Sequence, residues 1–245
     1  MKVRVCLLYF SMLKINLFFR SCIFYLGFFS SLIVWTFLCL AVGLFLSLPS
    51  RYKYFLYWNK FIIAWLTITC RVKIHISGQA NIPNHPVVIL SNHQSPWETI
   101  FLYHFFAPVS AILKKELLSI PLFGWSLALL KPIAIDRKRK LTARQAILQQ
   151  GKNRLEQNIS ILIFPEGTRV KVDQNKKYQS GGAVLAIEAG AAVLPVSHNA
   201  GYFWPSGKFL KYPGTIEVNI GKPIETEGRS ARELTEEVES WIKQN

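Results

Sequence analysis

Beyond Cys70 the chain contains no cysteine. The four it has, Cys6, Cys22, Cys39 and Cys70, lie in or beside the hydrophobic first third, with no C-x-x-C pair and no histidine at ligand spacing. That pattern excludes a zinc ribbon and a disulfide-stapled scaffold, and it is compatible with a reducing compartment. Acidic residues are scarce too: 14 Asp and Glu against 29 Lys and Arg leave a formal charge of +15. No serine stands in a G-x-S-x-G setting and no cysteine looks reactive, so any nucleophile belongs to the substrate rather than to a side chain. No internal repeat is visible, which removes solenoids and propellers.

What remains is basic and greasy at once, with 51% hydrophobic residues over 245 positions. Nucleic-acid binders are basic but rarely so apolar; an anionic membrane surface accounts for both properties, and an acidic protein partner would also be attracted. Cys22 to Leu48 is a run of 27 residues without a charge, longer than the roughly 20 a bilayer-spanning helix needs. A signal peptide is the competing reading, but the run exceeds a signal core and no small-x-small cleavage site follows Leu48. Lys2, Arg4, Lys14 and Arg20 precede it and Arg51, Lys53 and Lys60 follow, so charge does not set its orientation. Tyr54 to Cys70 reads as an interfacial helix, as the second arm of a helical hairpin linked at Leu48-Pro49-Ser50-Arg51, or as a buried helix of the following domain. Met12 offers a second start. Residues 1–71 are thus expected to be a membrane anchor, one span or a two-helix hairpin, and 72–245 a single α/β domain.

That domain opens with the alternating strand Val72 to Ser77; His75 and His85 read as solvent-facing and loop residues. Val87-Val88-Ile89-Leu90 suits a strand covered on both faces, and Ser95-Pro96-Trp97-Glu98 supplies a cap, a first-turn proline and a third-position glutamate for the helix that follows. Further strands are expected at Val109 to Leu113, Pro132 to Arg137, Ile159 to Phe164, Val193 to Val196 and Thr215 to Ile220. Between them, Thr142 is expected to cap a helix reaching Gln157, Gly181 to Glu188 forms a short helix, and Val170 to Ser180 reads as a polar, mobile loop. Ser230 and Glu233 open a final amphipathic helix. Leu118 to Leu130 is a second apolar stretch that suits either acyl chains or an ordinary core. Strands alternating with helices define the fold class as α/β: a mixed, largely parallel sheet flanked by helices, behind an N-terminal hydrophobic helical anchor.

His93 falls in the turn between a strand's carboxyl end and a helix start, where open α/β sheets place ligands. Such a turn can bring Glu98 back to the imidazole, fix its tautomer and leave the other nitrogen as a general base. The same glutamate is equally explained as the closing residue of a capping box. Pro165-Glu166-Gly167-Thr168-Arg169 offers a phosphate close backbone approach, a hydroxyl and a forked cation, although Glu166 would repel it and more naturally orients a neighbour.

Asn92-His93 with Glu98, Ile135-Asp136-Arg137, Phe164 to Arg169 and Val193-Leu194-Pro195-Val196 together resemble the four ordered sequence blocks of the glycerolipid acyltransferases. The likeness covers most of Ile89 to Val196, and the whole chain is similar to the branch that acylates 1-acylglycerol-3-phosphate. It implies transfer of a fatty acyl group from a thioester, acyl-CoA or acyl-carrier protein, to the 2-hydroxyl of lysophosphatidic acid, with no cofactor. It implies His93 as base and Glu98 as its partner, both catalytic. Glu166, Gly167, Thr168 and Arg169 would bind substrate, with Lys114 and Arg137 adding phosphate-binding charge. It also implies a membrane location with the catalytic domain on the cytoplasmic face, the inner membrane for a bacterium, and no nucleic-acid partner. Two departures are visible: Glu98 where the family more often has Asp, and Lys131-Pro132 where the second block often has glycine. The alternatives are another acceptor, such as glycerol-3-phosphate or a different lysolipid, and a noncatalytic lipid-binding protein. A metal hydrolase lacks a third ligand beside His93 and Glu98.

Overall fold

In a computed structural model of the chain, residues 2–121, 123–136 and 138–245 are described, excepting the side chains of 2–11 and of Lys140. Arg137 and the Cys6 side chain, both part of the sequence reading, lie outside that set.

Two helices come first, α1 (Lys2–Gly43) and α2 (Leu48–Cys70). Residues 12–43 of α1 are long and apolar enough to cross a membrane, with a mean hydropathy of 2.1 in the most apolar stretch. Phe18, Phe19, Leu26, Phe29, Val34 and Phe37 stand exposed along it. The link between the helices falls at residues 44–47, ahead of the expected Leu48 to Arg51. The reason is local: Ser47 caps α2 through the Ser50 amide, and Pro49 sits in the first turn, where a missing N–H costs nothing. Three indoles then stitch the pair: Trp35 Nε1 donates to the Phe55 carbonyl (3.2 Å), Trp58 Nε1 to Ser31 Oγ (3.1 Å) and Trp65 Nε1 to the Phe24 carbonyl (3.2 Å). Gly27 makes the last contact possible, because a Cβ there would lie 2.3 Å from Trp65 Nε1.

The α/β part runs β1 (Val72–Ser77), β2 (Val88–Ser91), α3 (Pro96–Phe105), β3 (Val109–Lys114), α4 (Phe123–Ala128), β4 (Ile133–Ile135) and α5 (Lys140–Glu156). It continues with β5 (Ser160–Ile163), α6 (Gly181–Ala189), β6 (Val193–His198), β7 (Gly214–Ile220) and α7 (Ala231–Gln244). The strands form one seven-stranded sheet, ordered β1-β7-β6-β2-β5-β3-β4. Every pairing is parallel except β6 with β7, so the sheet is mixed and largely parallel as expected. Helix α5 begins at Lys140 rather than after a Thr142 cap; Thr142 lies inside its first turn, and the position before the helix, Arg139, makes no side-chain capping bond. The two capping boxes read from sequence, Ser95 with Glu98 and Ser230 with Glu233, are both present.

Alternating residues of the central strands separate two cores. Ile89, Leu162 and Leu194 pack on one face with Trp97 and Phe101 of α3 and with Phe55, Ile62 and Leu66 of α2. Val88, Leu90, Ile161 and Val193 pack on the other with Ala183 and Leu185 of α6 and Leu234 and Val238 of α7. At roughly 25 cal/mol per Å² of apolar surface buried, this double cover supplies the main stabilisation of β2. A strand buried on both faces is therefore rigid, and whatever its carboxyl end carries is held firmly.

Candidate active site

Strand β2 lies between β5 and β6; from β2 the chain crosses to β3 on one side, and from β5 it crosses to β6 on the other. The crevice at such a switch point opens at the carboxyl ends of the strands. Asn92 and His93 follow β2 there, and Phe164 to Arg169 follow β5.

Ser95 has extended backbone and its side chain accepts the Trp97 amide, which fixes the first turn of α3. This turn swings Glu98 back beneath His93. Glu98 is fully buried, and its Oε1 accepts from His93 Nδ1 (2.7 Å), the Gln94 amide (3.0 Å) and the Ser95 amide (2.8 Å). One oxygen thus makes both the contact to the imidazole and the capping bond. Burial alone would raise the pKa of this carboxyl, but the hydrogen bonds from His93 and from the Ser95 amide outweigh it and hold the pKa below the ordinary carboxylate value. A charged Glu98 can only accept, so the proton of a neutral His93 sits on Nδ1 and Nε2 keeps its lone pair. The ring lies flat against Phe164, centroids 4.1 Å apart and planes 14° apart.

Glu166, expected from its block to bind substrate, is turned toward the backbone of the His93 turn. It is 6% exposed, and its Oε2 accepts the backbone amide of His93 at 2.6 Å. Burial, with the Glu98 charge adding to it and the His93 amide opposing, pushes its carboxyl up to about 8. Two carboxyls thus flank His93 with opposite tendencies, Glu98 ionised and Glu166 holding its proton near neutrality. The Val170 amide donates to the His93 carbonyl (2.7 Å), and the Gln179 amide to the Pro165 carbonyl (2.9 Å). The loop 170–180 read as mobile is therefore tied at both ends, with Val170 and Tyr178 buried.

His93, Lys114, Gly167, Thr168 and Arg169 all line one cavity of about 1200 Å³. Gly167 has φ +70°, a left-handed conformation that favours glycine and that turns the loop after β5. Lys114 is paired with Glu116 at 3.3 Å on the surface, whereas Arg169 has no ion-pair partner among the described residues and is exposed. The cavity wall also includes Trp35, Thr36 and Cys39 of α1, Phe55 and Trp58 of α2, Tyr103 of α3 and Leu127 of the 118–130 stretch. Arg169 and the His93 imidazole thus share the cavity with an apolar slot lined by side chains of α1, α2 and α3. The sequence reading missed Arg144, which also lines the cavity, and His198, buried behind Glu98. Arg144 gave no local signal on a polar helix; His198 was legible as a polar residue at the end of a buried strand.

A buried carboxylate, an imidazole bonded to it and a cationic turn thus meet at a sheet switch point. Residues 73–199, more than half of the chain, match the family model described as Acyltransferase, and the chain belongs to that family and is an acyltransferase. It is 45% identical over 230 residues to a 1-acyl-sn-glycerol-3-phosphate acyltransferase of Pseudomonas aeruginosa, across 92% of this chain and 89% of that protein. It is 30% identical to the chloroplastic 1-acyl-sn-glycerol-3-phosphate acyltransferase LPAT1 of Arabidopsis thaliana, across 71% of this chain and 49% of that protein. Among solved structures it resembles the 1-acyl-sn-glycerophosphate (LPA) acyltransferase PlsC of Thermotoga maritima, with a TM-score of 0.78 and 25% identity over 94% of this chain and 95% of that one.

Proposed function

We propose that this protein acylates the 2-hydroxyl of 1-acylglycerol-3-phosphate, using an acyl thioester, acyl-CoA or acyl-carrier protein, and so makes phosphatidic acid. The observation that carries the chemistry is the 2.7 Å contact between His93 Nδ1 and the buried Glu98 in a cavity that also presents Arg169. His93 Nε2 takes the proton of the acceptor hydroxyl as its oxygen attacks the thioester carbonyl; the imidazolium that forms is stabilised by the Glu98 carboxylate. Collapse of the tetrahedral intermediate breaks the carbon–sulfur bond. The thiolate leaves and receives the proton back from His93, so the enzyme is regenerated and the products are the diester and a free thiol.

Arg169, with Gly167 and Thr168, receives the acceptor phosphate, and Lys114 adds charge at the same mouth. Arg137 would contribute to this charge as well. The apolar slot toward α1 and α2 takes an acyl chain. The exposed apolar face of α1, together with Trp125 and Ile120 of the α/β part, supports a reading in which residues 1–71 are a membrane anchor and 72–245 the catalytic unit against the lipid, on the cytoplasmic face where thioester donors are made. No cofactor is required by this chemistry.

The test is an acceptor panel with the purified full chain: lysophosphatidic acid, glycerol-3-phosphate and other lysolipids, each with acyl-CoA and acyl-carrier protein, with products identified by mass. Phosphatidic acid from lysophosphatidic acid, abolished in His93→Ala, is the expected result. Turnover on a different acceptor only would overturn the substrate assignment, and wild-type turnover in His93→Ala would overturn the base.

A further inference from the structure

His198 is a buried imidazole, 5% exposed at the carboxyl end of β6, and no step above uses it. Its Nδ1 lies 3.3 Å from the Ala200 amide, which can only donate. The ring proton therefore sits on Nε2, and Nε2 donates to the Asn92 carbonyl at 2.9 Å. Burial holds its pKa below the ordinary histidine value, in keeping with that neutral form.

The Asn92 carbonyl and the His93 amide are the two ends of one peptide group. The amide end donates to Glu166 Oε2 at 2.6 Å; the carbonyl end accepts from His198. Glu166 comes from the loop after β5 and His198 from β6, the two strands that flank β2. The peptide that carries His93 is thus gripped from both sides. Asn92 adds two bonds that do not involve the imidazole: its Nδ2 donates to the His198 carbonyl (2.8 Å), and its Oδ1 accepts the His198 amide (3.1 Å). These hold β2 to β6 whatever the side chain at 198 is. His198 Nε2 also stands 3.9 Å from Glu98 Oε2, an oxygen with no hydrogen-bond partner among the described residues.

We propose that His198 is a positioning residue for acyl transfer: its Nε2–H fixes the peptide plane in front of His93, so that the catalytic ring keeps its place between Glu98 and the cavity. The inference rests on His93 being the general base. A planar peptide has no freedom to rotate once both its ends are bonded, and a shift of about 1 Å in a catalytic group costs on the order of 100-fold in rate. A lost clamp therefore lowers the chemical step and leaves binding of either substrate alone.

Position-matched amides test this. Glutamine puts its side-chain nitrogen about where histidine has Nε2, asparagine about where it has Nδ1, and leucine offers no donor. With lysophosphatidic acid and a long-chain acyl-CoA, His198→Leu and His198→Asn should lose about tenfold or more in kcat, with both KM values within about twofold. His198→Gln should stay within about threefold of wild type, because the donor is restored. Wild-type kcat in His198→Leu, asparagine working as well as glutamine, or a loss confined to KM would each overturn the proposal. Should the leucine variant fail to fold, the asparagine and glutamine pair decides alone. His93→Ala is assayed alongside. Activity surviving there sinks the base assignment, whereas an inactive His93→Ala beside a fully active His198→Leu sinks only the positioning role.

Discussion

One oxygen of Glu98 binds both the side chain of His93, at 2.7 Å, and the Ser95 amide that begins α3, at 2.8 Å. Orientation of the imidazole and capping of the helix therefore share one acceptor atom. Glu98→Gln separates them, since an amide oxygen still accepts from the backbone but brings no charge to the imidazolium. We expect a loss of roughly 100-fold or more in kcat, with the thermal midpoint lowered by no more than the ~1 kcal/mol a cap is worth. A large drop in midpoint with kcat preserved would show that capping is the whole role.

Glu166 titrates in the opposite sense. Its carboxyl is raised from 4.5 to about 8 in the folded protein, so between those values the folded state binds a proton that the unfolded state has released. Its contribution to stability is present below about pH 4.5 and is lost as pH rises through 8. Glu166→Gln keeps an acceptor for the His93 amide and removes the titration. Its midpoint should match wild type near pH 4 and exceed it progressively toward pH 9, with the acceptor KM unchanged. A KM that rises several-fold would return Glu166 to the phosphate.

Arg169 has no ion-pair partner among the described residues, so on the proposed function its charge is available to the acceptor phosphate. Loss of a charge-assisted hydrogen bond is worth about 1.5–3 kcal/mol, so Arg169→Ala should raise KM for lysophosphatidic acid roughly 10- to 150-fold. Arg169→Lys should recover only part of this, because a point charge replaces a fork. An unchanged KM in the alanine variant would remove Arg169 from the phosphate site.

Thr36 is buried in the wall of the apolar slot. Thr36→Trp should fill it and shift chain preference toward shorter acyl groups, measured with donors and acceptors of graded length. Each methylene excluded is worth about 1–3 kcal/mol. A variant with an unaltered chain-length profile would place the acyl chain elsewhere.

Much of this was written locally in the chain. Ser95-Pro96-Trp97-Glu98 encodes a helix start within four residues, and so the His93 turn could be located without knowing what surrounds it. Phe164 to Arg169 was equally readable, because a buried strand ending in Pro-Glu-Gly has few other shapes. What escaped were relationships across the sheet. Glu166 meets His93 across 73 residues and Asn92 meets His198 across 106; no periodicity reports which strands become neighbours. The link after α1 falls ahead of the Leu48 to Arg51 that the sequence predicts, because Pro49, after a Ser47 cap, suits the first turn of a helix. The loop 170–180 looked mobile from its polarity, yet two backbone bonds and two buried side chains pin it.

Trp35, Thr36 and Cys39 belong to the longest, greasiest helix of the chain and also to the wall beside His93. On the proposed function, an acceptor already resident in a leaflet can slide in sideways, with its tail never leaving hydrocarbon. Encounter is then a two-dimensional search, and the quantity that saturates the enzyme is the mole fraction of acceptor in the surface. Diluting that surface with inert lipid should slow turnover even at constant bulk concentration.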